Sequence, residues 1–143
     1  MTLMRCMKEG FSIIDSLEIK SDFQEVSKVE ALIDKVCGSL GVNEDFYGNV
    51  LIAVTEAVNN AIVHGNLNNS ELVVSVAVGD KQEEFCFSVE DKGNGFDYLN
   101  LPDPTAPENI MKENGRGIFL MRNLADELDF ESGGRKVNIY FAK

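Results

Sequence analysis

The run at 44–66, EDFYGNVLIAVTEAVNNAIVHGN, constrains the fold most, because Phe46, Val50, Val54, Ala57, Ala61 and Ile62 recur at helical spacing. Asn43 stands where a helix N-cap belongs, and Gly65 with Asn66 suits a C-terminal stop. The spacing and both stop signals predict one capped helix. Glu56 and Asn60 interrupt its otherwise largely apolar run.

The neighbouring elements show the same kind of pattern. FSIIDSLEIKS at 11–21 carries a β-branched run and partial alternation, which predicts an opening strand. Ser21 with Gln24 resembles a capping box, and Phe23, Val26, Val29, Ile33, Val36 and Leu40 predict a helix stopped by Gly41. ELVVSVAVG and EEFCFSVED alternate and are joined by a polar DKQ turn, which predicts a hairpin. GRGIFLMRNLADEL opens with two glycines and places Ile118, Met121, Leu124, Ala125 and Leu128 at helical spacing. LDFES, the Gly133-Gly134 turn and KVNIYFA predict a closing hairpin.

Between these blocks, residues 98–114 show no pattern and hold all three prolines, Pro102, Pro104 and Pro107. A patternless stretch of such length inside a domain is usually functional or mobile. The chain from 115 to 143 is too short for a second domain, so we read 98–114 as a lid. The expectation is a single domain over 1–143, with 1–10 a flexible N-terminal segment.

Charge narrows the function. A net charge of -11 leaves no basic stripe for a nucleic acid and repels an anionic membrane surface. A polyphosphate ligand would need a divalent cation to reconcile the charges. Cys6, Cys37 and Cys86 match no metal or redox spacing and read as buried free thiols of a reducing compartment. The start, MTLMRCMKEGFSII, lacks the apolar core of a signal peptide, and no stretch approaches membrane-spanning length. A cytoplasmic location is the default.

Three clusters carry candidate chemistry. Glu56 and Asn60 lie four apart, so they share a helix face with Cβ atoms roughly 6 Å from each other. A carboxylate and a carboxamide there could serve as general base and as oxygen ligand to Mg²⁺, which keeps waters and needs few protein ligands. A solvated polar face is the plainer account of that cluster alone. His64, the one histidine, sits a further turn along, where it suits a helix C-terminus. In the second cluster, SVEDKGNGFD, Asp91 ends a strand, and Gly93 and Gly95 let a flat ligand approach the backbone. Its aspartate could accept from an exocyclic amine, although Asp, Asn and Gly are also the commonest turn residues. The third, NGRGIFLMRNL, opens a helix at Gly115 and Gly117, exposing N–H groups to an anion beside Arg116 and Lys112. The order of the three says more than any one does: metal-and-base helix, base-reading turn, lid, phosphate-binding helix start.

EAVNNAIVHGN, EDKGNGFD and GRGIFLMRNLAD resemble the N, G1 and G2 boxes of the GHKL (histidine-kinase-like) ATPase/kinase superfamily. The small anti-sigma factor serine/threonine kinases are the branch they resemble most. That resemblance implies an α/β (α+β) two-layer sandwich, with helices covering one face of a mixed, mostly antiparallel sheet and ATP under a lid. It implies Glu56 as general base, Asn60 as Mg²⁺ ligand and Asp91 as reader of the adenine amino group. Gly93 and Gly95 would turn beneath the base, and Gly115 and Gly117 would start the phosphate-binding helix. It further implies a sigma factor and an anti-sigma factor antagonist as protein partners, ATP/ADP as nucleotide, and dimerisation. One departure stands out: Arg135 occupies the place where this family often has a threonine near adenine. Three activities remain open at this level: a protein kinase, a nucleotide-binding regulatory module without transfer, and a stand-alone ATPase. A fragment of histidine-kinase type fits less well, since the only histidine lies inside the nucleotide motif.

Overall fold

The computed structural model describes residues 8–93 and 113–143. Within these residues five strands form one sheet: β1 (Ser12–Lys20), β2 (Val73–Asp80), β3 (Glu84–Glu90), β4 (Glu127–Glu131) and β5 (Lys136–Ala142). Their order is β1-β2-β3-β5-β4, and every pairing is antiparallel. Three helices, α1 (Val26–Leu40), α2 (Glu44–Asn60) and α3 (Glu113–Leu124), complete the two-layer α+β architecture that the motifs implied. The sheet is antiparallel throughout rather than mixed.

Strand alternation decides which side chains meet the helices. Val74, Val76 and Val78 of β2, Phe85, Phe87 and Val89 of β3, and Val137, Ile139 and Phe141 of β5 all face inward. They pack against Val29, Ile33 and Val36 of α1 and against Val50, Val54, Val58 and Ile62 at the next helix. Phe85 and Phe141 stack with ring centroids 5.3 Å apart, joining the middle strands at one end.

The opposite sheet face is not bare. Cys86 and Tyr140 are fully buried there, beneath Phe11 and Ala77. The Lys8 backbone N–H donates to the Tyr140 hydroxyl at 3.1 Å, and the Lys8 ammonium pairs with Glu127. Cys37 and Cys86 are buried and outside any disulfide among the described residues, and burial pushes the Cys37 thiol up to about 11. Cys6 lies outside the described residues, as does the expected lid apart from 113–114.

Three local expectations are corrected. Asp22, not Ser21, caps the first helical turn: its side chain accepts from the Gln24 N–H at 2.9 Å. Ser21 is instead 3% exposed and donates to the Leu72 carbonyl at 2.7 Å. Phe23 and Phe46, counted with the apolar stripes, are 53% and 57% exposed. Both stand in the opening turn of a helical segment, short of where it meets the sheet. The Asn43 cap is present, its side chain accepting from the Asp45 N–H at 2.8 Å.

Candidate functional site

α2 does not end in the ordinary way. After Asn60 the chain widens into a π-helical turn, Ala61–Gly65, and the Asn66 N–H reaches back to the Ala61 carbonyl at 2.8 Å. Such turns hold one residue more than an α-turn and often mark functional sites. This one delivers Gly65 against the end of β3. A Cβ at Gly65 would lie 2.2 Å from Asp91 Oδ2, and one at Gly93 would lie 1.7 Å from the Gly65 carbonyl oxygen. Gly65 and Gly93 meet backbone to backbone, and the Asp91 side chain lies directly against Gly65.

Asp91 is 5% exposed, and burial pushes its carboxyl above the usual carboxylate range. The Gly93 N–H, which donates to Asp91 Oδ1 at 2.8 Å, and the Arg135 guanidinium both pull the other way. An acceptor buried at such cost and partly satisfied is suited to a ligand donor.

The second cluster meets the first in one small cleft with a cavity volume of about 20 Å³. Asn60 and Asp91 both line it, over an apolar floor that includes Val89, Ile118 and Met121, with Arg135 at its edge. The third cluster joins from α3. A Cβ at Gly117 would meet Glu56 Oε2 at 3.0 Å and Asn60 Nδ2 at 3.1 Å. Glycine at 117 thus lets the α3 backbone lie directly on the two polar side chains of α2. The structure therefore brings together Glu56, Asn60, Asp91, Gly93 and Gly117. Gly115 and Arg116 belong to α3, which begins at Glu113 rather than at Gly115. Gly95 and Lys112 lie outside the described residues.

The pieces fit a nucleotide with a divalent cation. A buried acceptor faces a small, mostly apolar cleft, and a carboxamide oxygen sits where a helix backbone approaches. Among the described residues no three His, Cys, Asp or Glu side chains converge as a metal site. A cation here would take Asn60 and rely on phosphate oxygens and water for the rest. His64 is half-buried, and its Nε2 is shut off from solvent without a hydrogen-bond partner among the described residues.

One residue that organises the site was not singled out as such by the sequence. Asn66 is 1% exposed; its amide donates to Ser21 Oγ at 2.7 Å and to the Val73 carbonyl at 3.0 Å. Its Oδ1 accepts the Lys92 N–H at 2.8 Å, which holds the turn between Asp91 and Gly93. An Asn after Gly reads locally as a helix stop, and only the long-range partners reveal this second task. Asn66→Ala is expected to cost about 2–4 kcal/mol in urea unfolding, since it strands several buried groups. A loss under about 0.5 kcal/mol, the level of an ordinary surface substitution, would show that the turn is held by other contacts.

Residues 19–141 match the histidine kinase-like ATPase domain, and the chain belongs to that family. Among curated proteins it is similar to the serine-protein kinase RsbW of Staphylococcus aureus strains JH9, Newman and JH1. Each is 28% identical over 119 residues, covering 78% of this chain and 75% of the relative. Among the described residues no helix is long and apolar enough to cross a membrane.

Proposed function

We propose that this chain binds Mg-ATP and phosphorylates a serine or threonine of a protein antagonist in the cytoplasm, while sequestering a sigma factor. The observation that carries the catalytic half is the meeting of Asn60 and Asp91 in one cleft, with Glu56 and Asn60 under the Gly117 backbone. The regulatory half rests on the anti-sigma kinase motifs and on the similarity to serine-protein kinases. Asp91 would accept from the base amine and fix the nucleotide's orientation. The N–H groups at the start of α3 would hold phosphate oxygens. Glu56, half-buried and in no ion pair among the described residues, would accept the proton of the incoming hydroxyl. Mg²⁺ held on Asn60 would neutralise phosphate charge in a molecule whose own net charge is -11.

Two measurements test this. Mg-ADP at about 100 times its dissociation constant should add roughly 2.7 kcal/mol, a melting shift of about 5–11 °C. No shift sinks the nucleotide site. Next, labelled ATP is incubated with the protein and a candidate antagonist from the neighbouring genes. Label should move to the antagonist, and Glu56→Gln should slow transfer about 10²–10⁴-fold while the ADP shift survives. Label released only as free phosphate would replace the kinase reading with an ATPase.

A further inference from the structure

Arg135 shares the cleft with Asp91 and has no part in the mechanism above. It comes directly after the turn Ser132–Gly134 and immediately precedes β5. Its carbonyl accepts the Asp91 N–H at 2.9 Å, which extends the β3–β5 ladder by one rung and fixes the two residues side by side. Arg135 is among the residues lining the cleft that Asn60 and Asp91 line, and its charge acts on the Asp91 carboxyl. Arg135 Nε donates to the Ser132 carbonyl at 3.2 Å, which anchors the inner end of the guanidinium. Arg135 takes part in none of the ion pairs among the described residues.

The two groups are chemically complementary. An ionised aspartate only accepts, and a guanidinium only donates. Adenine presents that same pair on one edge: an amine that donates, beside a ring nitrogen that accepts. N1 and N7 flank the amine on its two sides. A carboxylate alone asks a base only for an N–H, whereas carboxylate and guanidinium together ask for a donor and an acceptor in adjacent places. A threonine at this position would bring a short neutral hydroxyl; the arginine brings reach, charge and a forked donor.

We propose that Arg135 is a second base-reading residue, donating from its guanidinium to a ring nitrogen beside the amine held by Asp91. This rests on nucleotide binding at the cleft as proposed above. Arg135 then sets specificity as well as affinity, since a base with a carbonyl in place of the amine mismatches Asp91, and one lacking the ring nitrogen mismatches Arg135.

The test is calorimetric titration of the full chain with Mg²⁺ and ADP, 1-deaza-ADP or 7-deaza-ADP, in wild type, Arg135→Ala and Arg135→Lys. Melting of each ligand-free variant confirms that it folds. Wild type should bind one deaza analogue about tenfold more weakly than ADP. Arg135→Ala should bind ADP about tenfold more weakly and no longer distinguish that analogue from ADP. Arg135→Lys, which keeps the charge without the fork, should recover only part of the affinity. If the deaza penalties are the same in wild type and Arg135→Ala, or absent in both, the proposal is overturned, whatever the charge does for affinity. Failure of wild type to bind Mg-ADP is a separate result: it removes the nucleotide site itself, and this inference with it.

Discussion

Gly93→Ala loses measurable Mg-ADP binding and about 2–4 kcal/mol of stability, since its added methyl makes the closest clash among the described glycines. The added Cβ would stand 1.7 Å from the Gly65 carbonyl oxygen and 2.6 Å from its carbonyl carbon. Both are backbone atoms of the π-helical turn, so no side chain can swing aside to make room. Relief requires the glycine turn and the end of α2 to separate, which pulls Asp91 out of the cleft. Gly48→Ala is the matching control. It lies inside α2 with nothing within 4 Å of its added methyl, so it should gain up to about 1 kcal/mol. Urea unfolding and calorimetry read both variants. Gly93→Ala binding ADP like wild type, at a cost below about 0.5 kcal/mol, would show that the interlock yields easily.

Asp91→Asn is expected to separate stability from binding. Burial raises the Asp91 carboxyl above its ordinary value of 3.8, so protonation favours the folded state. The stability this group contributes is complete below the unfolded value and is lost as pH rises through the raised folded value. At neutral pH wild type therefore carries the cost of a buried charge that the amide avoids, while Asn can still accept the Gly93 N–H. The ligand-free variant should melt at or above wild type at pH 7, and the difference should shrink as pH falls through the raised carboxyl value. Its affinity for ADP should drop by about 1.5–3 kcal/mol, the worth of a hydrogen bond to a charged acceptor. Wild type should weaken toward the variant in the same acidic window. A variant that melts lower than wild type at pH 7 would mean that the carboxylate is a structural anchor.

The fold was legible wherever a period ran long enough. The alternating runs became β1, β2, β3 and β5, and the helical runs became α1 and α2, with Asn43 capping as its position suggested. Terminal positions were misread because periodicity ignores where a helix begins to touch the sheet; Phe23 and Phe46 obey the spacing and still face solvent. Ser21 and Asp22 are both acceptable caps by composition, and only the contacts of Ser21 with Leu72 and Asn66 decide between them. For the site, the polar residues were legible because each breaks a local rule: an acid and an amide in an apolar helix, an acid at a strand end, glycines in a helix. What joins them was not. Gly65, Asn66 and Arg135 act through partners far along the chain, and no local pattern encodes a partner.

The π-helical turn at Ala61–Gly65 gives residue count a meaning at this site that residue identity lacks. Each helical residue rotates the chain by about 100°. Removing one residue from the turn would restore an ordinary α-helix and improve its local regularity. It would also swing Gly65 and Asn66 about a quarter of a circle away from Asp91 and Lys92. Among chains of this kind, substitutions within 61–65 are thus a matter of size and polarity, whereas a single deletion there is a change of phase.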